Sequence, residues 1–142
     1  MTGICHLPDP RSPDDLIEWR LTDTGVEWRN GSFAARWMPF ACMRLVCIGH
    51  IPSYGGWRMR ISGPPGAIII ASGTPGTPET EDAARAFTDL AREIVASAAT
   101  AGVGTTLRWN DRALWPPFLW ARVGGSVRAA DEILDLLPPS VT

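Results

Sequence analysis

Cys42-x4-Cys47-x2-His50, with Cys5-His6 far upstream, is the one arrangement in this chain whose residue types could hold zinc. If Cys42 and Cys47 share a regular strand, their odd spacing points them to opposite faces, so they cannot both ligate. No metal is therefore expected. Cys47 with His50 is no better as a nucleophile and its base, because a strand cysteine ordinarily serves as a small buried hydrophobe. His6 and His50 are the only histidines, and neither has a neighbouring acid in sequence to orient it, so both are expected to be solvated. Glu79, Glu81 and Asp82 resemble a catalytic cluster until Thr77-Pro78 is noticed before them. A threonine cap, a proline and early acids are what a helix start favours. Gly63-Pro64-Pro65-Gly66 and Gly73-Thr74-Pro75-Gly76 lack the amide donors or the Gly-Lys-Ser/Thr sequel of a phosphate loop and read as turns. No catalytic residue and no cofactor is assigned, and the reading leans away from an enzyme.

Composition narrows the partners. The chain has 142 residues, a net charge of −2 and no lysine, so binding nucleic acid by general phosphate neutralisation is not expected. All 13 basic residues are arginine, which suits bidentate recognition of carboxylate or phosphate, but their dispersion argues against a single anion pocket. Three cysteines without a secretory signal imply reduced thiols and a cytoplasmic setting. Seven tryptophans are the larger anomaly, since a buried indole N–H needs a partner.

Trp109, Trp115, Phe118 and Trp120 crowd into residues 107–123 around Pro116-Pro117, which forbid a continuous helix. Either this segment packs over the sheet, or it is a contact surface. Trp115, Phe118 and Trp120, with Arg112 and Arg122 as a polar rim, are the residues expected to bind a protein partner or a second copy. Weak peripheral contact with a membrane is a lesser alternative, as is a small-molecule or catalytic pocket between sheet and helix containing Cys47, His50 and Tyr54.

The elements that position these residues are written in period-two alternation. Ile17, Trp19 and Leu21 alternate with Glu18 and Arg20, and Val26 and Trp28 with Glu27 and Arg29. Facing the two runs across Asp23-Thr24 places Trp19 opposite Trp28 and Leu21 opposite Val26. It also sets Glu18 against Arg29 and Arg20 against Glu27, whereas a one-residue slip would bury charge. A two-residue turn at Asn30-Gly31 then predicts Trp28 opposite Phe33 and Val26 opposite Ala35. Further strands are expected over 42–48, 57–61 and 67–71, with residues 49–56 as a loop. Ala83, Phe87, Leu90, Ile94 and Ala98 form the stripe of a long amphipathic helix ending near Gly102, and a second, short helix is expected over 126–137.

Six strands closed by one helix resemble the pleckstrin-homology-like (PH-like) superfold, and residues 20–100 are similar to small bacterial PH-like domains. The likeness is carried by Leu21-Thr22-Asp23-Thr24-Gly25-Val26-Glu27-Trp28-Arg29-Asn30-Gly31, by Pro39-Phe40 and by Ala86-Phe87-Leu90 in the helix. It implies seven strands before the helix, so one is missing, irregular or at Leu107–Asn110. The basic head-group pocket of some PH domains is not recognisable, and lipid recognition is not carried over. The expectation is an α+β fold: an antiparallel six- to seven-stranded meander, a PH-like partly open barrel, capped by one helix. Residues 1–15 would be a flexible arm, 16–102 the domain, and 103–142 an aromatic extension with a short helix.

Overall fold

The computed structural model describes residues 3–31, 34–101, 104–110 and 126–139. Four strands, β1 (Ile4–Asp9), β2 (Ser12–Leu21), β3 (Gly25–Asn30) and β4 (Arg36–Pro39), form an antiparallel sheet in chain order. A 3-10 turn at Phe40–Cys42 leads into β5 (Leu45–Ile51), β6 (Gly56–Gly63) and β7 (Gly66–Ala71), again antiparallel. The long helix α1 (Glu81–Ala101) follows. The chain then returns as β8 (Thr106–Asn110), parallel to β5, before β9 (Ser126–Val127) and the short helix α2 (Ala130–Leu136). The second sheet therefore runs β7-β6-β5-β8-β9, and the molecule is α+β with two largely antiparallel sheets that do not close into a barrel.

The β2–β3 hairpin has the expected register, with Glu18↔Arg29, Trp19↔Trp28, Arg20↔Glu27 and Leu21↔Val26. Thr22 secures its turn, its hydroxyl oxygen accepting from the Gly25 amide at 3.0 Å. The next hairpin departs from expectation. Gly31 adopts the left-handed φ of 59° that suits an Asn-Gly turn, yet pairing resumes only at Arg36, giving Trp28↔Arg36 and Val26↔Met38. The offset from the expected register is odd, so Trp37 turns outward opposite Glu27, half-exposed, while Arg36 takes an inward position. Phe33 lies outside the described residues.

Three further corrections concern boundaries. Residues 4–9, read as part of a loose arm, form β1, paired with β2 from Ile4↔Arg20 to Asp9↔Ser12. The fourth expected strand begins at Leu45 rather than Cys42 and runs on through Gly49 and His50, which had been placed in a loop. The long helix starts at Glu81, with the Thr80 hydroxyl accepting from the Ala83 amide at 3.0 Å, while Thr77 instead bridges to Thr74.

One core joins both sheets and both helices. Phe87, Leu90, Ala91, Ile94, Val95 and Ala98 of α1 cluster with Leu7, Trp19, Val46, Ile48, Met59, Ile61, Ile70 and Leu107. Each large apolar side chain so buried contributes about 1.5–3 kcal/mol. Ile133 and Leu137 bring α2 into the same core. Arg92 on α1 fastens it, donating to the carbonyls of Leu134 (3.1 Å), Leu137 (2.8 Å) and Pro138 (2.6 and 2.9 Å). Among the described residues no helix is long and apolar enough to cross a membrane.

Candidate functional site

A cleft of about 820 Å³ opens between the inner face of the first sheet and the β7 edge of the second. Strand alternation supplies its first wall. Ile17 and Trp19 of β2 share a face with their partners Asn30 and Trp28 of β3, and Trp28 in turn faces Arg36 of β4. The two indoles lie with centroids 5.8 Å apart and planes tilted by 31°. Trp19 is wholly buried and Trp28 half-buried, so Trp28 is the ring with surface to offer. A register shift at Pro8/Asp9 completes this wall. There Asp9 is buried, one carboxylate oxygen accepting from the Arg11 amide at 2.9 Å and the other from the Asn30 side chain at 2.7 Å. The opposite wall is Arg60 of β6 with Ala67, Ile68 and Ile69 of β7, which has no strand partner on its outer edge among the described residues.

Three arginines, Arg11, Arg36 and Arg60, thus line one cleft although they lie far apart in sequence. Among the described residues no carboxylate lies within ion-pair distance of any of them. Asp9 is the single acid in the lining among the described residues. The wall also carries a cost: the buried Trp19 Nε1–H has no acceptor among the described residues.

Of the residues expected in a sheet-to-helix pocket, Cys47 and Tyr54 are brought together and His50 is not. Cys47 and Tyr54 pack with Ile51 in a small separate cluster, and the Arg58 guanidinium lies 4.0 Å over the Tyr54 ring. His50, three residues from Cys47 along β5, takes the other face, edge-on to Trp57 at 5.0 Å. Burial pushes the Cys47 thiol up to about 11, although Arg108 and Arg60 pull the other way, so it is not a thiolate near neutrality. Burial likewise lowers the Arg58 guanidinium from its ordinary value. Cys42 sits in the 3-10 turn, away from β5, and among the described residues no three His, Cys, Asp or Glu side chains gather as a metal site.

His50 does have an acid, which sequence reasoning assigned elsewhere. Glu79 stands outside α1, and its Oε1 is 3.0 Å from His50 Nε2. Its Oε2 accepts a short hydrogen bond from the buried Ser72 hydroxyl and a longer one, 3.4 Å, from the Trp57 amide. The Glu79 amide donates to Gly55 at 2.9 Å. A side chain at Gly56 or Gly73 would collide with Glu79, so the glycines let three loops close around one carboxylate. Ser72 is fully buried beneath it, and the grouping works as a junction that seats the start of α1. His6 is paired more loosely, 3.6 Å from Glu18.

Arg112, Trp115, Phe118, Trp120 and Arg122 lie outside the described residues. Their flanks are well placed: β8 and β9 pair through Arg108↔Val127 and Trp109↔Ser126. Comparison with protein-family models, curated proteins and solved structures gives no match to this chain.

Proposed function

We propose that this chain is a small-molecule-binding module with a PH-like arrangement of strands and helix, its ligand seated between the two sheets. The observation that carries the reading is the cleft itself: one space of about 820 Å³, within the range of ligand sites, walled by two indoles and by three arginines that have no acid partner among the described residues. The PH-like part rests on the strand count, four in the first sheet and three in the second before α1, with β1 as the strand that the sequence pattern lacked. Thermal shift with a chemically diverse panel tests the reading. A ligand at about 100 times its Kd adds about 2.7 kcal/mol and raises Tm by several degrees. Ala67 is exposed at the cleft, so Ala67→Trp intrudes on the space without disturbing the core and reduces the shift. A shift unchanged by Ala67→Trp, or a panel with no hits, overturns the proposal.

A second reading, self-association or partner binding through Trp115, Phe118 and Trp120, is favoured by one observation. Paired antiparallel neighbours such as β8 and β9 ordinarily need a connection of about 2–5 residues. Here 15 residues, 111–125, join them, more than the pairing requires, and they carry the three rings. Light scattering of the full chain against one with residues 111–125 replaced by Asn-Gly-Thr, which keeps Trp109 opposite Ser126, tests it. An unchanged number of copies per particle rules self-association through this segment out, and a fall from dimer or larger to monomer supports it.

A further inference from the structure

Resting on the cleft as a ligand site, we infer that its ligand is a planar aromatic anion. The charge comes first. Of the four ionisable residues in the lining among the described residues, three are arginines and one is Asp9, in a protein whose net charge is −2. The Asp9 oxygens already accept from Arg11 N and Asn30 Nδ2, so the carboxylate is committed to holding the β1–β2 corner. What remains for a ligand is cationic and without acid partners among the described residues. A guanidinium presents a planar fork of donors that matches a carboxylate, sulfonate or phosphate, and a cationic ligand would be repelled.

The shape comes from the rings. Half-buried Trp28 offers an indole face beside the buried Trp19, with Ile17 and Ile68 completing apolar walls. An aromatic body gains from stacking there over and above the area it buries. Arg36 lies directly across the strand pair from Trp28, so the anion-binding fork and the stacking face are adjacent. A ligand with its charge on a flexible tail has no need of that adjacency; a charge attached directly to the ring does.

The test uses four matched probes with the full chain in isothermal titration calorimetry: 2-naphthoate, 2-naphthalenemethanol, 2-naphthylmethylamine and cyclohexanecarboxylate. Binding of 2-naphthoate is expected to be tightest, with the neutral alcohol and the non-planar acid each at least about tenfold weaker and the amine weakest. Arg36→Ala and Arg60→Ala are each expected to weaken 2-naphthoate by about tenfold while Tm stays unchanged, and Ala67→Trp to weaken it by crowding the cleft. Added salt should weaken the naphthoate and leave the alcohol unaffected. If the alcohol binds as tightly as the naphthoate and is weakened by Ala67→Trp, the cleft remains a ligand site and the anion inference fails. If cyclohexanecarboxylate matches the naphthoate, the planar part fails. If none of the four binds up to about 1 mM while the diverse panel yields cleft-dependent hits, the inferred class is wrong and the ligand-site reading stands. If neither probes nor panel bind, both fall.

Discussion

Arg92→Met isolates what holds α2 in place. A helix of 7 residues is far too short to persist alone, so its order depends on burying Ile133 and Leu137 and on the Arg92 guanidinium. Methionine keeps most of the aliphatic stem and removes every donor. Hydrogen bonds from a charged group are worth about 1.5–3 kcal/mol each, and Arg92 reaches three carbonyls, which would suggest a loss of about 4.5–9 kcal/mol. Two of the three are not fully withdrawn from water, however: Pro138 is exposed and Leu134 half-exposed, so solvent replaces much of what is lost. Only Leu137 is buried, and its carbonyl carries most of the cost, so the expected net loss is about 2 kcal/mol. With 142 residues and about 2.1 cal/mol/K of unfolding entropy per residue, that is about 7 °C in Tm. Circular dichroism melts and urea midpoints give the size. Hydrogen exchange gives the location, because amides of Ile133 and Leu137 should lose protection before those of α1. Arg92→Lys should fall between, since one ammonium cannot span three carbonyls. A change below about 0.5 kcal/mol in Arg92→Met, or uniform loss of protection across the chain, would refute the argument.

Three other perturbations have definite outcomes. Trp19→Phe removes a buried N–H that has no acceptor among the described residues, relieving about 1–3 kcal/mol while losing ring area. Its stability should stay within about 1 kcal/mol of the parent, whereas Trp19→Ala should cost about 3–5 kcal/mol in urea unfolding. Burial raises both the Cys5 and Cys47 thiols from 9.0 to about 11, so the folded state holds their protons more tightly than the unfolded one. That contribution is complete below pH 9.0 and is lost as pH climbs through about 11; urea midpoints across this window should fall less steeply in Cys5→Ala/Cys47→Ala. Ending the chain at Gly104 removes β8, β9 and α2, with buried Leu107, Ile133 and Leu137, and should abolish the cooperative melt. Exchanging residues 111–125 for Asn-Gly-Thr should preserve that transition, because a two-residue Asn-Gly turn then sets the threonine opposite Asn110 and keeps Trp109↔Ser126 in register.

The β2–β3 hairpin was legible because two independent signals, ring alternation and opposite charges on the other face, agree on one register. The next hairpin was not. Its inward position opposite Trp28 is held by Arg36, a charged residue that a solvated cleft admits and a closed core would not, so an alternation rule assigns it outward. Strand β1 was hidden for a related reason: Pro8 and Pro10 read as breakers, and its inward residues Cys5, Leu7 and Asp9 are only partly apolar. Glu79 was misassigned because Thr77-Pro78 imitates a helix start that Thr80 makes three residues later. The cleft required knowing which ends of two sheets meet, and no local pattern encodes that. Arg11, Arg36 and Arg60 carry no spacing signal at all.

The parallel pairing of β5 with β8 also bears on the chain's synthesis. Leu45 meets Thr106 and Gly49 meets Asn110, so the middle strand of the second sheet waits for a segment made after β6, β7 and all of α1. Until β8 emerges from the ribosome, a nascent chain already able to form both hairpin sheets presents β5 as an open edge, with Val46, Cys47 and Ile48 in its run. An unpaired apolar edge of this kind is a template for joining another chain. Slowed translation between α1 and β8 lengthens that exposure, so the yield of folded protein is set by the speed at which the ribosome crosses a handful of codons as well as by the stability of the finished molecule.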